Sequence, residues 1–279
     1  MNRTLQTTTP ATLHHLHITS NKPDSLAKFY QTQLGLEHSR TGTLHVLRGG
    51  TRSVIVSEGA SASLAYAGYA VQNKAHLDSL RERLQQTGTA PLTIDTPLFQ
   101  AGAFLVSDPQ GRKISFGVPM HDRHIDAEPA RLQHTVFQTT ELEAVVSFYV
   151  EKIGFSISDE VVDHDGTVMV TFLRSDDEHH SLAFFRGSQN EWDHHCYETN
   201  EWNDIRDWGD KFARQRIAMF FGPGRHGPGN NLFFMINDPD GNRLEFSSEL
   251  QRVAAETIPG VWPHGEYTLN SWGRAWIRS

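Results

Sequence analysis

At 279 residues, with 38% hydrophobic and 10% aromatic composition, the chain has material for one large globular domain or two of ordinary size. A net charge of −8 without any basic cluster excludes nucleic acid as a principal partner, and no 18-residue apolar run offers a membrane span. The single cysteine excludes an intrachain disulfide framework, and "MNRTLQTTTPATLHHLHITS" has no apolar core of a secretory signal, so a cytoplasmic protein is expected.

In chain order, residues 15–39 read as a short strand, a helix and a strand. Pro23 sits near the helix start, and Leu26, Phe29 and Tyr30 form its buried stripe. From Tyr66 a strand leads into an amphipathic helix with Leu77, Leu80 and Leu84 at i, i+3, i+7. "AFLVSDPQGRKISF", from Ala103, then turns through Asp-Pro-Gln-Gly between two strands. Residues 117–133 read as a linker.

Beyond the linker the same order returns. "HTVFQTTELEAVVSFYVEKIGFSIS" parallels residues 15–39, with His134 answering His15, Phe148-Tyr149 answering Phe29-Tyr30, and Gly154 answering Gly35. "DHHCYETNEWNDIRDWGDKFARQ" repeats the second strand and helix, with Ile205, Trp208 and Phe212 as its apolar stripe. "FFMINDPDGNRLEF" repeats the turn, and Glu245 there answers Ser115. Two tandem α+β units are therefore expected, 1–122 and 130–250, each of two strand-helix-strand halves. The tail 251–279, with Trp262, Trp272 and Trp276, is too aromatic to be free and is expected to pack back.

His134, His195 and Glu245 lie on three separate strands of the second unit. Two imidazoles and a carboxylate suit a non-haem Fe(II) or Mn(II), leaving coordination positions open. The answering positions in the first unit are His15, Ala67 and Ser115, the pattern of a duplicated site lost from one copy. A solvent-facing histidine pair and glutamate would not produce that asymmetry.

The tandem units together with "LQHTVF", "DHHCYE", "FFGPGRHGPGNN", "NDPDGNRLEF" and the tail "TLNSWG" resemble the type I extradiol ring-cleavage dioxygenases of the vicinal oxygen chelate superfamily. The resemblance covers nearly the whole chain. It implies tandem paired βαβββ modules, with the C-terminal pair enclosing Fe(II), or alternatively Mn(II), held by His134, His195 and Glu245. His195 is preferred over His194 because the family pattern continues from the ligand as "HCYE" does. Cys196 then faces away from the metal. The resemblance further implies His180 as acid-base catalyst, His226 beside the substrate, a small aromatic substrate with O2, and a homo-oligomer. Where the family places a substrate-bonding tyrosine this chain has Met235, which cannot donate a hydrogen bond; Tyr267 from the tail is the candidate replacement. The alternatives are another metal oxygenase acting on a non-catechol substrate, a glyoxalase-like isomerase or lyase, and a non-catalytic binding protein.

Overall fold

The computed structural model describes residues 10–120 and 128–273. The first unit consists of β1 (Ala11–Ser20), α1 (Pro23–Leu34), β2 (Glu37–Thr41), β3 (Leu44–Arg48) and β4 (Ser53–Glu58), then β5 (Ser63–Val71), α2 (Lys74–Gln86), β6 (Leu92–Thr93), β7 (Phe104–Ser107) and β8 (Lys113–Gly117). These are two βαβββ modules joined edge to edge through β1 and β5, giving one sheet of order β2-β3-β4-β1-β5-β8-β7-β6. Within each module the first strand pairs in parallel with the last, β1 with β4 and β5 with β8.

The second unit repeats the plan. β9 (Arg131–Thr139), α3 (Leu142–Ser147), β10 (Ser156–Val162), β11 (Val168–Arg174) and β12 (Leu182–Arg186) form one module. β13 (Glu191–Glu198), α4 (Trp202–Arg214), β14 (Met219–Arg225), β15 (Leu232–Asn237) and β16 (Arg243–Ser248) form the other. Their sheet runs β14-β15-β16-β13-β9-β12-β11-β10-β17, with β17 (Gly260–Pro263) contributed by the tail ahead of the short α5 (Glu266–Leu269). The linker's last residues are already strand β9, and residues 121–127 lie outside the described residues, as does Trp276.

The expected stripes are the buried faces. Leu77, Leu80 and Leu84 of α2, and Ile205, Trp208 and Phe212 of α4, enter one core cluster that runs through both units. Phe29 packs against that core only in part, while Leu26 and Tyr30 are fully buried. Gly35 and Gly154 close their helices in the left-handed region, at φ 66° and 97°, where a side chain would be strained. The two helices are not equal, because α3 gives way after Ser147 to a π-helical turn over Phe148–Ile153.

Candidate metal centre and cavity

β9, β13 and β16 lie side by side, and their register sets the site. Cys196 pairs with His134 on one flank and with Glu245 on the other, so the three side chains stand in a row on the concave face. Side chains alternate along a strand, so His194 shares that face with Cys196, while His195 and Tyr197 take the opposite one. On β16 the same alternation sends Leu244 and Phe246 into the helix-covered core and Glu245 inward.

Two imidazoles close on Glu245. Nε2 of His194 lies 3.3 Å from Oε2, and Nε2 of His134 lies 3.8 Å from it. Both rings are oriented from behind, since Nδ1 of His194 meets Asp193 Oδ1 at 2.6 Å and Nδ1 of His134 meets the side-chain oxygen of Gln133. Such partners hold the proton on Nδ1 and leave the Nε2 lone pair for a metal. Asn231 donates to Glu245 Oε1 at 3.1 Å, and His226 Nε2 lies 3.9 Å from the same oxygen. Donor atoms of His134, Cys196 and Glu245 all lie within 4.8 Å of one another.

Electrostatics favour a cation here. Glu245 is 1% exposed, and burial alone would raise its pKa; the imidazoles of His194, His226 and His134 beside it instead hold it well below the usual range. Burial pulls His194 down as well, but its bonds to Asp193 and Glu245 outweigh that and lift it to about 9. Burial lowers His134 to about 3, against the opposing pull of Glu245. A buried carboxylate offset by imidazoles, with both Nε2 atoms directed at it, is a donor set that fits a divalent transition metal.

The structure corrects the expectation for His195. Its ring lies on the core side, stacked on Trp192 at 5.1 Å, with Nε2 3.3 Å from the Tyr30 hydroxyl of α1. His194 therefore stands where His195 was expected, and Cys196 faces the site instead of turning away. The first unit carries the signal that separates the two histidines. Tyr69 and Ala67 belong to its buried core, and Tyr197 and His195 answer them, so His194 is answered by Tyr66. The answering trio in the first unit is thus His15, Tyr66 and Ser115. There the Tyr66 hydroxyl lies 3.3 Å from His15 Nε2, and the His15 ring fills the space over Gly68, the position answering Cys196.

The centre lies against a cavity of about 580 Å³. His180, from the loop between β11 and β12, enters its wall with its ring centroid 4.4 Å from that of His134. His226 follows β14; its ring stacks on Phe233 at 3.8 Å, and its Nδ1 meets the carbonyl oxygen of Leu269 in α5 at 2.6 Å. Met235 lies directly across from Glu245 in the β15–β16 register and lines the same cavity. Phe172, Phe220 and Leu269 make the remaining wall largely apolar. Tyr267 does not line the cavity; it is 70% exposed, so it does not replace the missing phenol. A larger cleft of about 770 Å³ against α3 and β10 shares no residue with this site.

Residues 131–246 match the family described as the Glyoxalase/Bleomycin resistance protein/Dioxygenase superfamily. The chain is similar to metapyrocatechase 2 of Cupriavidus necator, 28% identical over 149 residues that cover 52% of this chain and 45% of that one. That alignment spans less than half of the relative's length. Similarity to the biphenyl-2,3-diol 1,2-dioxygenase of Metapseudomonas furukawaii is 25% identity over 272 residues, 85% of this chain and 87% of that one. The fold superposes on the Mn(II)-bound glyoxalase from Novosphingobium aromaticivorans with a TM-score of 0.81, at 21% identity, covering 96% of this chain and 91% of that one.

Proposed function

We propose, from the match of residues 131–246 to the Glyoxalase/Bleomycin resistance protein/Dioxygenase superfamily, that the protein is a non-haem metal-dependent dioxygenase that opens a catechol-type aromatic ring with O2. The observation that carries this is the convergence of His134, His194 and Glu245 at the wall of an apolar cavity that also receives His180 and His226. These three residues would hold Fe(II), or alternatively Mn(II), with the Cys196 sulfur close by. When bound, the metal supplies adjacent open positions for two vicinal substrate oxygens and for O2, and it acidifies a hydroxyl bound to it.

The chain's own residues do the rest. Burial keeps His180 well below its ordinary pKa, so it enters the cavity as a neutral imidazole able to accept a substrate proton. The same ring, once protonated, can return that proton and face negative charge developing beside it. His226, braced by Phe233 and the Leu269 carbonyl, is held where it can orient a polar edge of the substrate. Phe172, Phe220 and Leu269 favour a flat apolar ring and exclude water. Met235 offers polarisable contact but no donor, which favours substrates needing no hydrogen bond at that side.

The test is oxygen uptake by anaerobically Fe(II)-loaded protein across a panel of catechols, followed by the colour of the ring-opened product. Uptake with a yellow product is expected. Retained iron with no uptake on any catechol would overturn catechol cleavage in favour of oxygenation of another substrate class or glyoxalase-like isomerase or lyase chemistry.

A further inference from the structure

Behind His180 lies a second histidine and then a carboxylate, none of it exposed to the cavity. His180 Nδ1 and His179 Nδ1 are 2.9 Å apart, and His179 Nε2 is 3.0 Å from Asp159 Oδ2 on β10. The rings are locked. His179 and His180 stand at 90° to each other, and Phe172 packs against both, at 5.5 and 5.0 Å. The backbone N–H of His179 donates to the Gln251 carbonyl at 2.9 Å, and the His180 carbonyl accepts from Gln133 Nε2 at 2.5 Å. Asp159 is held from the far side by the tail, since the Gly260 N–H donates to Oδ1 at 2.8 Å and Trp262 Nε1–H donates to Oδ2 at 2.7 Å.

With both rings neutral, the proton positions follow from counting donors. An ionised carboxylate only accepts, so His179 must present Nε2–H to Asp159. A neutral His179 then has its lone pair on Nδ1. The contact between the two Nδ1 atoms needs one proton, and His180 must supply it. We infer that Asp159 is a positioning residue which, through His179, holds His180 in the tautomer with the proton on Nδ1 and the Nε2 lone pair free for a ligand in the cavity. This rests on the assignment of His180 as the proton acceptor under "Proposed function". The opposite tautomer would offer the substrate a donor where an acceptor is needed. The tail strand β17 thereby contributes to the chemistry without touching the substrate.

The experiment is two-bond 15N–1H NMR on the full chain labelled with 15N-histidine and loaded with diamagnetic zinc. His180 is identified by the resonances lost in His180→Phe. The wild type should show His180 protonated on Nδ1 and unprotonated on Nε2. Asp159→Ala should shift it toward a tautomer mixture and, in the Fe(II)-loaded protein, lower kcat for ring opening by about tenfold or more, with KM within about twofold, because a wrong tautomer costs turnover rather than binding. Trp262→Phe, which leaves the His179–Asp159 contact, should keep the wild-type tautomer. His180 carrying its proton on Nε2 in the wild type would overturn the inference, as would an unchanged tautomer in Asp159→Ala. The spectrum needs no substrate, so a protein that cleaves no catechol yet shows the expected tautomer would sink the proposed reaction and leave the positioning role standing.

Discussion

Glu245 shows how one residue's surroundings decide its role. A carboxylate with 1% of its surface exposed, faced by imidazoles, an amide and a thiol, is balanced by a bound cation. Glu245→Gln and His194→Ala should each weaken metal binding by more than about a hundredfold, since even outer partners of a ligand are worth about 10–100-fold. His195→Ala should keep the metal and instead lose about 2–5 kcal/mol of stability, because it empties a core position between Trp192 and Tyr30. Metal content after dialysis against a chelator, with urea midpoints alongside, separates the two outcomes. Metal lost from His195→Ala and kept by His194→Ala would reverse the assignment. Glu245 was legible in sequence because the repeat answers it with Ser115, and His134 because it opens its unit as His15 opens the other. The choice between neighbouring histidines was not, because it turns on which face of one strand is concave.

At the scale of elements, α4 and the tail do different work. Trp208 of α4 packs on Phe246 at 4.7 Å and donates to the Pro129 carbonyl at 2.9 Å, tying the helix to the back of the strand that carries Glu245. Trp208→Ala should cost about 3–5 kcal/mol, seen as a lower urea midpoint. The tail joins β10 in parallel through β17 and supplies Thr268 and Leu269 to the cavity wall. Removing residues 265–279, which leaves β17 on Asp159, should leave metal binding intact but raise KM for an aromatic substrate by roughly tenfold, the signature of lost substrate contacts. Loss of metal on truncation would show that the tail supports the centre itself. The tail's aromatic content announced that it packs; its pairing with β10 was not readable, since four residues of strand carry no signal of their neighbour.

Across the whole molecule, histidines buried in the first unit make stability depend on pH. His17 is held at about 4 by burial, with Nε2 2.8 Å from the Ser57 hydroxyl. Its unfolded value is near 6.5, so the unfolded chain binds the extra proton first. The contribution is complete above about pH 6.5 and is lost as pH falls toward 4, by up to about 3 kcal/mol. Urea midpoints at pH 7.5 and 4.5 should drop more for wild type than for His17→Gln, and equal drops would contradict a half-buried, neutral His17. The two units also interlock: the Tyr30 hydroxyl of α1 donates to Asp238 at 3.1 Å, and the Tyr69 hydroxyl of β5 donates to the Ser181 carbonyl at 2.8 Å. That clasp fixes the loop next to His180 from the opposite unit.

The sequence by itself determined the duplicated α+β plan, the buried helix stripes, and the asymmetry that puts a candidate centre in the second unit. Periodicity and repetition are local properties, written in the spacing of apolar residues and in the turns between them. Only the tertiary structure decided that His194 and Cys196 face inward, that Tyr267 lies outside the cavity, and that Asp159 stands behind His180. Each depends on strand register, sheet curvature or contact between distant segments, and none of these is encoded in the spacing of residues along one stretch of chain.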